Sequence, residues 1–303
     1  MARVIVIGGA NADIKGHTSR SFVGGTSNPG DVSVSAGGVA RNIADNLARL
    51  GHETSLVTVL GDDANGAIVR EACKAAGVDL SLTLTGPHPT GTYLVVLDHR
   101  GELVAAVNDM RSIEWLKVEH LEAIARELAQ ADFLVADCNI SATCLAWLCD
   151  FSNARNIPLL IEPVSVPKAK KLTSFTREAP VFAITPNLQQ LLALTGEKKQ
   201  PQAMARLHAM GFENIVVHLG GKGAHVSSPQ GEADIAPLKA DAVADVTGAG
   251  DAAVAGLVSG LLEGLPLPKA AQLGQAAASV KLLSRDSVPH DLTRARLKEI
   301  AGF

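Results

Sequence analysis

Short apolar runs recur along the chain at Val4–Ile7, Leu56–Leu60, Phe133–Ala136, Leu159–Ile161, Val181–Ile184 and Ile215–Leu219. They are continuous rather than alternating, which predicts strands buried on both faces. Helical patterns separate them. In Gly38–Leu50, the side chains of Val39, Ile43, Leu47 and Leu50 fall on one face, and Gly51 follows as a C-terminal cap. This alternation predicts an α/β fold: a doubly wound, mainly parallel sheet with helices on both sides. Two stretches break the rhythm. Residues 14–35 hold Lys15, Gly16, Gly24, Gly25, Pro29 and Gly30 with too few aliphatics for a core element, and residues 90–109 alternate around His99-Arg100-Gly101-Glu102 as a hairpin would. They read as surface excursions or as a small β-sheet lid on a single domain spanning residues 1–303. The lid is preferred, because Thr92–Leu97 is too apolar to be wet on both sides.

Composition narrows the function. Apolar residues make up 47% of the 303 and aromatics 3%, a mixture of small and branched aliphatics that suits helices packed on a parallel sheet. The formal net charge is −4 with both signs interspersed, which argues against a nucleic-acid partner. Lys168, Lys170 and Lys171 form the one basic cluster and read as a solvated loop. Cys73, Cys138, Cys144 and Cys149 make no C-x-x-C pair and have no histidines at zinc spacing, so buried thiols in a reducing compartment are expected. Met1 runs straight into a strand without a charged leader, and no apolar stretch is long enough to span a bilayer. A cytoplasmic location with no membrane partner is the expectation.

Candidate chemistry concentrates in Asp245-Val246-Thr247-Gly248-Ala249-Gly250-Asp251. From Val254 onward, Leu257, Val258, Leu261 and Leu262 recur at helical spacing, so the Gly-Ala-Gly stands at the start of a buried helix. Small residues there let backbone N–H groups approach an anion, and the helix dipole favours its charge. Asp251 would then sit beside the anion. Such a carboxylate either stabilises the dipole or accepts a proton from an attacking hydroxyl, and the density of the motif favours the second role. Two absences matter. Gly220-Gly221-Lys222-Gly223 has no hydroxyl after its lysine and is not a P-loop, and Gly8-Gly9-Ala10-Asn11-Ala12-Asp13 is not a dinucleotide fingerprint.

Asp245–Asp251 resembles the C-terminal signature of the PfkB, or ribokinase-like, carbohydrate kinase family, and Gly37-Gly38-Val39-Ala40-Arg41-Asn42 resembles its N-terminal one. Pro186-Asn187 and Leu219-Gly220-Gly221-Lys222-Gly223 are similar to its two nucleotide-side segments, and all four stand in family order. The resemblance implies a Rossmann-like domain with a β-sheet lid and transfer of the ATP γ-phosphate to a hydroxymethyl group. It makes Asp251 the base and gives the amides of Gly248, Ala249 and Gly250 to the phosphoryl group. Asn11, Asp13, Gly37, Gly38 and Asn42 would hold the sugar. Asn187 would lie near the triphosphate and Mg²⁺, and Leu219, Gly220, Gly221 and Gly223 would line the nucleotide. Asp245 and Thr247 match positions that hold a monovalent cation, which points to K⁺. One departure stands out: the family's Asn-x-x-Glu is here Asn187-Leu188-Gln189-Gln190, which lowers the expected affinity for Mg²⁺.

Within the family, Asn11–Gly16, Thr26–Gly30, Asn108-Asp109-Met110, Asp137-Cys138-Asn139 and Glu162–Ser165 most resemble pseudouridine kinases. Amide and hydroxyl groups on Thr26, Asn28, Asn108 and Asn139 could pair with the donors and acceptors of a uracil ring; their alternative duty is in turns and caps. The expected activity is phosphorylation of pseudouridine on its 5′-hydroxyl. Another ribose, nucleoside or sugar kinase is the alternative. Readings of other classes are an inactive nucleoside-binding regulator, against which Asp251 stands, and an oxidoreductase, which lacks its glycine fingerprint. Family resemblance makes a homodimer through the lids possible.

Overall fold

A computed structural model of the chain describes residues 1–175, 178, 180–238 and 242–303. In chain order the strands are β1 (Arg3–Ile7), β2 (Asn11–Thr18), β3 (Gly30–Gly37), β4 (Glu53–Val57), β5 (Val59–Leu60), β6 (Leu84–Thr85) and β7 (Gly91–Leu97). Then come β8 (Leu103–Asp109), β9 (Phe133–Asp137), β10 (Leu159–Glu162), β11 (Val181–Ile184), β12 (Phe212–His218), β13 (Ala224–Ser228) and β14 (Gly231–Ile235). The main sheet runs β14-β13-β12-β11-β10-β9-β1-β4, parallel from β4 to β12 with an antiparallel edge at β13 and β14.

Period-two geometry explains the continuous apolar runs. In β1, Val4 and Val6 face one core with Ile43, Leu47, Val254 and Leu257, while Ile5 and Ile7 face another with Leu145, Leu148, Leu191 and Leu207. The predicted run Leu56–Leu60 divides: β4 stays in the main sheet, and β5 leaves it to pair with β6. The first helix spans Val39–Arg49, and Gly51, at φ 80°, turns the chain back with its N–H on the Ala48 carbonyl.

A second sheet, ordered β3-β2-β7-β8, stands apart from the first and begins at Asn11. Its register pairs Asp13 with Ser35 and Tyr93, and Tyr93 with Asn108, so these four share a face. On the other face Ile14 pairs with Val34 and Leu94, and Leu94 with Val107. All four cysteines are free and buried, and burial pushes the Cys73 thiol up to about 11 and that of Cys149 to about 12.

Candidate active site

The strand order reverses around β1 and β9, and loops that part at such a point leave a crevice at the carboxyl ends of the strands. Here the loop after β1 meets the end of β9. Asp137 Oδ2 accepts from Gly9 N at 3.0 Å, Ala40 N at 3.0 Å and Asn139 Nδ2 at 2.8 Å, and Oδ1 accepts from Asn139 N at 2.8 Å. One buried carboxylate therefore ties together three segments. Above it, Asn11 Nδ2 donates to Asp13 Oδ1 at 2.6 Å, with both side chains buried. Burial pushes the Asp13 carboxyl up, while Asn11, Lys15 and Arg41 oppose the shift. The paired glycines have steric reasons. A Cβ on Gly37 would lie 2.5 Å from the Asp13 carboxylate, and Gly38, at φ 100°, passes so close to Gly9 that a Cβ would lie 2.5 Å from its carbonyl oxygen.

Gly248, at φ 86°, caps the helix Ala249–Leu262 and packs against the Ser287 carbonyl, where any Cβ would collide. The Ala249 N–H bonds to the Val246 carbonyl at 3.2 Å, so the amides of Gly248, Gly250 and Asp251 are the ones without a backbone acceptor among the described residues. A Cβ on Gly250 would meet nothing within 4 Å. Asp251, in the first turn, is buried and accepts from Asn42 Nδ2 at 2.6 Å. That bond joins the helix Ala249–Leu262 to the helix Val39–Arg49. Burial pushes Asp251 up to about 7; Asn42 and Arg41 pull it down, and Asp137 and Asp13 add to the rise. Asn42 Oδ1 is buried without a partner among the described residues, an acceptor awaiting an O–H. A base that titrates near neutrality beside free amide donors is equipped to deprotonate a hydroxyl and stabilise a transferring phosphoryl group.

From Gly250 a cavity of about 420 Å³ leads away. Gly220, Gly221, Gly223 and His218 line it near the loop after β12, while Leu238, Val243, Val246 and Leu282 make an apolar wall. Leu219, expected among these, instead packs its side chain on the core beneath. The wall was not legible in the sequence, although the exposed Val243 just before the motif and Val246 within it signal a greasy surface with something to cover. His218 was also missed. Burial lowers its pKa to about 4, and its Nε2 has no partner among the described residues.

The Asn187 and Gln190 side chains cap their own helix: Asn187 Oδ1 accepts from Gln190 N at 2.9 Å, and Gln190 Oε1 from Asn187 N at 2.8 Å. Glu162, at the end of β10, is a carboxylate the sequence reading quoted only as a resemblance. It accepts from the Thr185 hydroxyl at 2.5 Å and Val164 N at 3.1 Å. Burial raises it to about 8, with Asp251 and Asp137 adding to the shift. The described residues hold no cluster of three or more metal-ligating side chains. This donor set fits Mg²⁺ carried chiefly by phosphate oxygens and water, with one carboxylate at hand.

Other expected positions fall differently. Thr26 is exposed in the loop between β2 and β3, and Asn28 spends its amide on Val23 and Thr26 within that loop, so neither joins the sugar group. Asn139 has both ends of its amide engaged, Nδ2 on Asp137 and Oδ1 on the ammonium of Lys168, so one N–H and one lone pair remain for any other partner. Lys168 and Lys171 are accordingly not solvated: Lys171 donates to the carbonyls of Cys138, Asn139 and Ile140 at 2.9, 3.2 and 2.8 Å. Only Lys170 is exposed. Asn108 does share the Asp13 face, together with Tyr93, which the sequence did not single out.

Asp245 and Thr247 do not form an open cation site. Thr247 turns its N–H and Oγ1 onto Asp245 Oδ1, both at 2.9 Å; Lys15 Nζ approaches Oδ2 at 3.3 Å, and Lys281 Nζ donates to the Asp245 carbonyl at 2.9 Å. Two ammonium groups already serve this residue, a poor fit for a further monovalent cation.

Comparison with known proteins agrees with this geometry. The profile of the pfkB family carbohydrate kinases matches residues 1–291. A pseudouridine kinase of Escherichia coli (strain K12) is 35% identical over 301 residues, covering 97% of this chain and 95% of that protein. A protein described as uncharacterized sugar kinase YeiI, also of Escherichia coli (strain K12), is 33% identical, covering 92% and 78%. Among solved structures, a carbohydrate kinase from Agrobacterium tumefaciens superposes with a TM-score of 0.87 at 30% identity over 100% of this chain and 97% of that one. Arabidopsis thaliana ribokinase complexed with ribose and ATP shares the fold, with a TM-score of 0.84 at 24% identity over all of both chains.

Proposed function

The chain belongs to the PfkB family of carbohydrate kinases and is an ATP-dependent sugar or nucleoside kinase, and from that premise we propose that it phosphorylates pseudouridine on the 5′-hydroxyl. The observation that supports the mechanism is the Asn42–Asp251 bond, which joins Asn42 of the first helix to a carboxylate in the first turn of the helix Ala249–Leu262. In this reading the ribose lies between Asn11, Asp13 and Asn42, and the unpaired Asn42 Oδ1 accepts from one of its hydroxyls. Asp251 takes the proton of the 5′-hydroxyl as its oxygen attacks the γ-phosphorus and the bond to the β–γ bridging oxygen breaks, with ADP as the leaving group. The amides at Gly248 and Gly250 meet the charge of the transferring group. ATP would fill the cavity with its base against the apolar wall; Glu162 is the carboxylate that would help to hold Mg²⁺, which when bound would supply charge neutralisation at the phosphate oxygens.

The second sheet acts as a lid over the sugar. Asn108 and Tyr93, on the Asp13 face, are the groups this reading gives to the base. The ribose contacts cannot separate pseudouridine from uridine, whose sugars are alike. Discrimination rests on the extra ring N–H of pseudouridine. A buried acceptor left unpaired by uridine costs about 1–3 kcal/mol, which is roughly ten- to a hundred-fold in kcat/KM. The reading includes a homodimer formed through the open face of the lid. A panel of pseudouridine, uridine, other nucleosides, ribose and simple sugars with radiolabelled ATP tests the proposal. Pseudouridine should rank first, and Asn108→Ala or Tyr93→Leu should narrow its lead over uridine. A simple sugar ranking first would leave only a general sugar kinase.

A further inference from the structure

We infer that the buried ammonium of Lys281 takes the place of the monovalent cation implied by the family, so that the loop before the phosphate site is ordered without potassium. Lys281 lies in the helix Leu267–Leu282 and is among the largest side chains with no solvent exposure. Its Nζ donates to two main-chain carbonyls, Asp245 at 2.9 Å and Ser284 at 3.0 Å. A compact point charge surrounded by backbone oxygens is what a large alkali ion would be in the same spot. Burial lowers the Lys281 pKa, and the neighbouring Asp245 carboxylate opposes that shift.

The position explains the consequence. Segment 244–248 is laid along segment 282–287: Ala244 N donates to the Leu282 carbonyl at 2.7 Å, and Gly248 rests on the Ser287 carbonyl. Lys281 bridges the same two segments from inside, one carbonyl in each. Three residues past Asp245 the chain turns at Gly248 and starts the helix that carries Asp251. Holding Asp245 therefore holds the phosphate site. The remaining oxygens of Asp245 are spent, Oδ1 on Thr247 and Oδ2 on Lys15 at 3.3 Å. A third positive charge would meet two ammonium groups and find few free donors. Lys281 touches no substrate in this scheme; it is a positioning residue.

The test uses the best acceptor from the panel and compares turnover in potassium, sodium and tetramethylammonium chlorides at constant ionic strength. Wild-type rates should agree within about two-fold, since the charge is built in. Lys281→Met removes the charge and strands two buried carbonyls, and should lower kcat at least ten-fold while leaving the KM of the acceptor nearly unchanged. Lys281→Ala opens room for an ion, and potassium, but not tetramethylammonium, should raise both its rate and its melting temperature. The wild-type melting temperature should be flat across the same titration. A wild-type rate that falls several-fold in tetramethylammonium overturns the inference, and so does a Lys281→Met enzyme with normal kcat. If neither variant folds, the wild-type comparison decides alone. If no acceptor turns over, the kinase reading has failed, and the wild-type melting curves still test the cation: a rise with potassium counts against Lys281.

Discussion

At the scale of single residues the question is how one carboxylate can be both buried and basic. Asp251 has its pKa pushed to about 7 by burial, against the pull of Asn42 and Arg41. A base must be ionised, so kcat/KM should rise with pH through about 7 and fall roughly ten-fold per unit below it. Asp251→Asn keeps the shape but cannot take the proton. It should lower kcat by about 10²–10⁴, with the acceptor bound as before, and a variant keeping more than a tenth of wild-type kcat would remove Asp251 from the mechanism. Stability gives an independent check. The folded pKa lies above the ordinary 3.8, so between these values the native state holds a proton that the unfolded chain has lost. Stability from this group is therefore full below the unfolded value and declines as pH rises through about 7, by at most on the order of 4 kcal/mol. Asp251→Asn removes that loss, so its melting temperature should exceed that of the wild type at pH 8 and the advantage should vanish near pH 4.

Elements decide how much of this was readable from residue order. The helix starting at Ala249 was legible because its turn, its small residues and the carboxylate of Asp251 lie in seven consecutive residues, and the Gly37-Gly38 pair because it precedes a strongly amphipathic helix. Groups that depend on where elements meet were not. Lys281 sits in a helix where a lysine normally reads as surface, and only the approach of Asp245 and Ser284 makes it interior. Asn139 read as a base contact because its partners, Asp137 and Lys168, act through space. The cavity wall is assembled from Leu238 and Val243 on one side of the motif and Leu282 well beyond it in sequence. Asn187 and Gln190 show the same limit: family resemblance set Asn187 near the triphosphate and Mg²⁺, and the reciprocal capping box it makes with Gln190 was not read. Glutamate also makes that box, so Gln190→Glu should leave the helix intact while adding a carboxylate beside the phosphate region. The magnesium concentration giving half-maximal rate should fall. An unchanged titration would mean that Glu162 and the phosphates already satisfy the ion.

For the molecule as a whole, the second sheet has two unlike faces. One carries Asp13, Tyr93 and Asn108, the face that the proposed reading gives to the sugar, and strand β2 is tethered to the body where Lys15 meets Asp245. On the other face Ile14, Val34, Leu94 and Val107 are register neighbours, with Val32 farther along, and none of these positions is charged. Helix Ala64–Ala76 covers only one end of this face, where Asn65 Nδ2 reaches Thr92 Oγ1 at 3.1 Å, and leaves Val32 at 73% and Val107 at 64% exposed. A contiguous apolar face is costly in water, and a sheet usually buries one side. A second copy offers the same apolar patch, and two copies related by a twofold axis cover both at once. Light scattering should therefore give twice the chain mass at micromolar concentration. Val34→Lys with Leu94→Lys should give monomers that still fold, because both side chains are outward and their strands keep their partners. The lid would then lose its support, so the KM of the acceptor should rise while that of ATP, bound on the far side of Asp251, stays put. A wild-type protein that scatters as a monomer would show that these valines and leucines face water after all, and would separate the lid from any role in assembly.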